Sequence, residues 1–356
     1  MRFVYVIGTR PNFVKMAPVI AALRGRSPDS RHAIVHTGQH YDEMMSGIFL
    51  SELGVPAPDH MLGVGSGSHA QMTARVLEAL EPVLIAERPD LVLVPGDVNS
   101  TLAAALCAAK LEIPVGHVES GLRSFDRSMP EETNRVLTDH ISEHLFLHSD
   151  EATENLENEG IARDKMHFVG NTMIDTLVAL EDRFRDRGAA ASLGLEPGSY
   201  LLVTLHRPAL VDGLLLADAM EALATVGGEM PVLFPVHPRT RKMLGPDWTE
   251  PPGVGLVDPI GYLDFLSLEA DAAAVLTDSG GIQEETTFLG VPCFTLRDNT
   301  ERPVTIRAGT NTLLGLDPAR ITQIPARLGE RARERPEPPP KWDGHAAERI
   351  ADALKI

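Results

Sequence analysis

The chain has 356 residues, 43% of them hydrophobic, enough for two compact domains with cores of their own. Lys and Arg total 32 against 50 Asp and Glu, and a formal net charge of −18 repels polyanions and argues against nucleic-acid binding. An anionic ligand then has to be held by a local basic cluster. No apolar stretch approaches membrane-spanning length, and no charged leader or cleavage site is read at the N-terminus. Cys107 and Cys293 lie singly in apolar runs without metal spacing. The expectation is a soluble, cytoplasmic protein with reduced, buried thiols.

In chain order, RFVYVI (2–7) reads as a strand, followed by a helical stretch over 12–24 and a second strand, HAIVHT (32–37). GVGSGSH (63–69) reads as a loop. DLVLVP (90–95), IPVGHV (113–118) and EHLFLHS (143–149) continue the strands, with the Ala-rich TLAAALCAAKL as a helix between two of them. Short, nearly all-apolar strands separated by helices mark parallel sheets covered on both faces. A second series follows MHFVGNTMIDT (166–176): YLLVTL (200–205), PVLFPV (231–236), VGLVD (254–258), AAVLTD (273–278) and PCFTL (292–296). RERPEPPPKWDG (333–344) reads as an extended connector to a final helix. The pattern predicts two α/β, doubly wound domains, 1–167 and 168–343, with residues 344–356 packing back on the first. Ligands are expected where the carboxyl ends of the strands meet a cleft.

The stretch LTDSGGIQEETTFLGVP (276–292) places Ser279, Gly280 and Gly281 at a helix start, where free backbone N–H groups suit an anion. Glu285 lies roughly one turn in, about 6 Å along the axis, in reach of vicinal sugar hydroxyls. Glu284 and Glu285 stand about 100° apart around the helix, so only one faces the ligand. Phosphate beside ribose means a nucleotide; the alternative is a capped surface helix with solvated acids. GTRPNFVK is neither a Walker loop nor a dinucleotide fingerprint, but it sets Arg10 at a strand end and Lys15 in the next helix, as phosphate contacts or ordinary surface charges.

Asp97 and Glu119 follow successive strands, and Glu131 enters a helix behind Pro130. Acids gathered at one sheet edge favour acid/base work over mere solvation. His206, after YLLVTL, reads as a phosphate donor or acid, or else as a core or cap residue. His117, inside a strand, reads as structural. The 13 histidines form no metal-spaced motif, so neither a metal nor a cofactor is expected.

These residues fall in GTRPNFVKMAP, TGQHYDEMM, PGDVNSTLA, GHVESGLRSFDRSMPEETNR, FVGNTMID, VTLHRP, TDSGGIQEE and RDNTERP. In that order they resemble the non-hydrolysing UDP-N-acetylglucosamine 2-epimerases over nearly the whole chain. The resemblance implies a GT-B glycosyltransferase-like fold of two Rossmann-like domains and a homodimer. It also implies interconversion of UDP-N-acetylglucosamine and UDP-N-acetylmannosamine without metal or nicotinamide. It assigns Asp97, Glu119 and Glu131 as catalytic carboxylates and His206 as the catalytic histidine. Arg10 and Lys15 fall near the nucleotide, Ser279, Gly280 and Gly281 at the diphosphate, Glu285 at the ribose, Arg302 in the substrate site and Phe265 near the uracil.

The chain departs from the family at Pro208-Ala209-Leu210, where many members carry an acidic or Asn-containing segment. It departs again at Gln39-His40-Tyr41-Asp42, where some bacterial members have the Gln-His-Arg-Gln-like run of a second, activating site. Rival readings are a 2-epimerase of a modified sugar such as a 2,3-diacetamido uronate, a UDP-sugar glycosyltransferase, and a nucleotide-sugar-binding regulator without catalysis.

Overall fold

β1 (Arg2–Ile7) is buried along every residue after the first, as expected of an apolar strand covered on both faces. In the computed structural model, residues 1–38, 49–207, 210, 213, 215–236, 238–245, 249–330 and 337–356 are described. They form two compact units: Met1–Ala179 with Pro340–Ile356, and Leu180–Pro339. No described helix is long and apolar enough to cross a membrane.

The first unit holds a sheet of β1, β2 (Arg31–His36), β3 (His60–Met61), β4 (Leu91–Pro95), β5 (Val115–Ser120), β6 (His144–Leu147) and β7 (Met166–Phe168). Its order is β3-β2-β1-β4-β5-β6-β7, all parallel, so the chain reverses direction of growth between β1 and β4. α1 (Arg10–Arg26) starts where β1 ends. Asn12 in its first turn accepts from the Thr9 N–H at 3.1 Å and donates to the Pro95 carbonyl at 3.2 Å, tying the helix start to the end of β4. The loop expected at 63–69 ends as the cap of α2 (His69–Glu87): the Ser68 hydroxyl accepts from the Gln71 N–H. α3 (Asn99–Lys110) buries Ala103, Ala104, Ala105, Cys107 and Ala108, small side chains that let it lie close on the sheet. α4 (Pro130–Ile141) has Pro130 at its first position, where a missing N–H is harmless.

The second unit repeats the plan with β8 (Leu201–Thr204), β9 (Val232–Pro235), β10 (Val254–Val257), β11 (Ala274–Thr277), β12 (Cys293–Thr295) and β13 (Asn311–Leu313). The order is β10-β9-β8-β11-β12-β13, again parallel, with its reversal between β8 and β11. Both sheets therefore have the strand order of a Rossmann unit, whose ligands bind at the reversal. On one face Leu201, Val203, Phe234, Leu276 and Phe294 pack against Leu216, Met220 and Leu223 of α5 (Leu215–Gly227). On the other, α6 (Tyr262–Asp271) covers Tyr200, Leu202, Leu233 and Val275. α7 (Gly280–Leu289) follows β11 and ends at Gly290 in the left-handed region. Residues 333–336 of the connector lie outside the described residues.

Candidate active site

In the first unit the candidate residues gather at the carboxyl ends of β1, β4 and β5. Glu119 sits at a bulge where β5 slips against β6 between Val118 and Ser120, and its φ is +70°, a conformation L side chains seldom adopt. There its carboxylate bonds the buried Lys15 ammonium from α1. Gly96, at φ +64°, leaves the room: a Cβ would stand 3.1 Å from Lys15 Nζ and 3.2 Å from Glu119 Oε2.

Asp97 Oδ2 accepts from Arg135 Nε at 3.0 Å and Nη2 at 2.6 Å. Arg135 Nη1 also donates to Glu132 at 2.7 Å, and Glu132 in turn accepts from the Ser124 and Phe125 N–H groups at 2.9 and 2.8 Å. The adjacent acids of PEET thus divide their work. Glu132 is buried and fastens the loop ahead of α4, while Glu131 is half-buried and has no hydrogen-bond or ion-pair partner among the described residues. Arg10 is exposed, with its guanidinium stacked over Phe49, 4.5 Å from the ring centroid.

The second unit places His206 after β8 and Ser279 after β11, at its own reversal point. Asp278 joins them. One carboxylate oxygen accepts from the His206 and Arg207 N–H groups at 2.8 and 2.7 Å, and the other lies 3.0 Å from His206 Nδ1. Burial opposes ionisation of Asp278, but the imidazole and the two backbone donors outweigh it and hold the carboxyl below its ordinary value. His206 is half-exposed and oriented from behind by an acid, the arrangement of a histidine that exchanges protons. Asp278 was not singled out from the sequence. Its signal was the one applied to Asp97 and Glu119, an acid at a strand's carboxyl end.

Ser279, Gly280 and Gly281 open α7. A Cβ on Gly280 would collide with the Arg302 guanidinium, so any larger residue would have to displace that side chain. Arg302 is buried and paired with Glu284, 2.7 Å from its Nε, and with Glu301. Its charge is thereby matched; the Ser279 N–H donates to the Thr277 hydroxyl at 3.0 Å, which leaves the N–H groups of Gly280 and Gly281 to suit an anion. Glu284 and Glu285 diverge as their spacing requires. Glu285 accepts at 2.8 Å from the hydroxyl of Tyr262, in the first turn of α6. Burial pushes Glu285 up to about 8, reinforced by the negative Glu284 and opposed by the Tyr262 bond. Phe265, one turn beyond Tyr262, is half-buried against the core under α6. Tyr262 was also missed, because an aromatic at helical spacing reads as core. Pro208, Ala209 and the run Gln39-His40-Tyr41-Asp42 lie outside the described residues.

Two Rossmann-ordered parallel sheets in one chain define a GT-B-like α/β protein, and both carry candidate site residues at the strand ends. A model of the family described as UDP-N-acetylglucosamine 2-epimerase matches residues 22–355. A UDP-N-acetylglucosamine 2-epimerase of Methanococcus maripaludis is 45% identical, over 89% of this chain and 88% of its own. A UDP-2,3-diacetamido-2,3-dideoxy-D-glucuronate 2-epimerase of Pseudomonas aeruginosa is 43% identical over 88% of each. The crystal structure of the Methanocaldococcus jannaschii UDP-GlcNAc 2-epimerase in complex with UDP-GlcNAc and UDP superimposes with a TM-score of 0.87 at 40% identity. It covers 100% of this chain and 99% of that one. The chain belongs to the UDP-N-acetylglucosamine 2-epimerase family, a family of isomerases.

Proposed function

We propose that this chain interconverts UDP-N-acetylglucosamine and UDP-N-acetylmannosamine by eliminating and re-adding UDP, with Asp97, Glu119 and Glu131 as its acid/base groups. The C2 proton of the sugar has no adjacent carbonyl, so simple deprotonation at neutral pH is out of reach. Removing it with a carboxylate while the C1–O bond breaks sends the electron pair out with UDP and leaves a 2-acetamidoglucal. UDP then returns to C1 as a proton is delivered to the opposite face of C2. Two faces require groups in unlike surroundings. The observation that carries the reading is that the three acids have them: Glu119 faces the Lys15 ammonium, Asp97 faces the Arg135 guanidinium, and Glu131 has no partner among the described residues.

Charge on the departing diphosphate falls to His206, Arg10 and the Ser279-Gly280-Gly281 turn, with Lys15 and Arg302 behind them. Glu285 and Phe265 take the ribose and the uracil. The test is proton NMR of UDP-N-acetylglucosamine with the protein in deuterium oxide. The manno anomeric signal should grow, solvent deuterium should enter C2, and free UDP should accumulate slowly. Product without deuterium at C2, and no free UDP at equilibrium, would remove the three carboxylates from these roles. The Pseudomonas relative is nearly as similar as the archaeal one. A diacetamido uronate substrate is therefore the second reading, and turnover of that sugar alone would select it.

The same reading extends to a homodimer in a reducing cytoplasm. It is supported by the family resemblance and by the burial of both cysteines, Cys107 and Cys293. Sedimentation at micromolar concentration checks the assembly.

A further inference from the structure

His117 lies fully buried on β5, two residues before Glu119. Its Nε2 is 2.7 Å from the Gly96 carbonyl oxygen, which only accepts, so that nitrogen carries a proton. Its Nδ1 is 2.6 Å from Asp139 Oδ1. The other Asp139 oxygen accepts from the Gly121 N–H at 3.1 Å and lies 2.8 Å from Arg123 Nη1. Burial works against the charge on Asp139, yet His117 and Arg123 together hold its carboxyl below the ordinary value. Arg123 is in turn forked onto Glu159 through two bonds of 2.7 Å.

The cluster surrounds the reacting acids from below. Asp139 grips His117 and Gly121, the residues two before and two after Glu119, and so spans the bulge that puts Glu119 at positive φ. The ring then reaches from β5 to the carbonyl of Gly96, the residue before Asp97, whose N–H is fixed on the Val118 carbonyl at 2.9 Å. We infer that His117 and Asp139 are the positioning pair that holds Asp97 and Glu119 in their reactive places. This rests on the acid/base roles proposed above.

Asp139→Ala removes both grips and should lower kcat more than tenfold with KM within threefold. Asp139→Asn should restore most of that loss, since its amide can still bond the ring while its oxygen accepts from Gly121. His117→Phe keeps the ring volume, breaks the link to Gly96 and should match Asp139→Ala, so either folded variant suffices. A folded Asp139→Ala or His117→Phe with kcat within threefold of the parent would sink the positioning role. If Glu119→Gln and Asp97→Asn kept full activity, the acid/base reading would fail instead.

Discussion

Neighbouring residues of the same type do different work in this chain, and partners rather than identities separate them. Glu131 and Glu132 read alike, but one fastens a loop through backbone N–H groups and the other stands without a partner among the described residues. Sequence supplied the candidates because strand ends converge; it carried no sign of which acid would be neutralised, since Arg135 and Lys15 come from other elements. Asp278 shows what this leaves out. It orients His206 through the ring and the backbone together, so Asp278→Asn keeps the shape but presents an N–H where Nδ1 needs an acceptor. The expected outcome is a fall in kcat of roughly 10²-fold with UDP affinity within threefold, measured by turnover and by calorimetry. Unchanged kcat would mean that His206 works without Asp278.

Elements were legible in proportion to their length and burial. The apolar runs of β1, β4 and β8 could hardly be anything but strands in a covered sheet, whereas β3 and β13, of 2 and 3 residues, are too short to show a pattern. α2 was not read from the sequence, although Pro82 inside it is no more of a break than Pro18 inside α1. For α7 the start, the stop and the divergence of Glu284 from Glu285 follow from helix geometry, but the burial of Glu285 does not. That burial has a measurable consequence. An acid raised from its ordinary value to about 8 keeps its proton in the folded state where the unfolded chain has lost it. Between those two values the folded state binds more protons, so stability falls as pH rises from about 5 to about 8, and no further above that. Glu285→Gln removes this loss. Its melting temperature should exceed the parent's by a margin that widens from pH 5 to pH 8, while KM rises and kcat changes little. A margin that stays constant with pH would show that Glu285 is ionised throughout, and a strong fall in kcat would move it from the ribose to the reaction.

At the scale of the whole molecule, the sequence pattern revealed two sheets, but the point at which one unit ends could not be read from it. The first unit is completed by the far end of the chain. Trp342 is buried and donates to the His148 carbonyl at 2.9 Å. Asp175 accepts from the Ala346 and Ala347 N–H groups at 3.0 and 2.7 Å, capping the C-terminal helix Ala346–Ala353. That helix buries Ala347, Ile350 and Ala351 in turn. Residues 340–356 are thus part of the unit that holds the carboxylates, although nearly the whole second unit separates them in sequence. Trp342→Ala should then destabilise the first unit by about 3–5 kcal/mol, the usual range for emptying a large buried site. Hydrogen exchange should show the loss across 1–179 and 340–356, with 180–339 keeping its protection. Added UDP should raise protection around β8, β11 and the start of α7 in parent and variant alike, because His206, the Ser279-Gly280-Gly281 turn, Glu285 and Phe265 belong to the second unit. Of the groups proposed to bind it, Arg10 and Lys15 belong to the first. A uniform loss over all 356 residues would mean that the chain unfolds as one cooperative block, and UDP protection abolished by Trp342→Ala would place essential nucleotide contacts in the first unit.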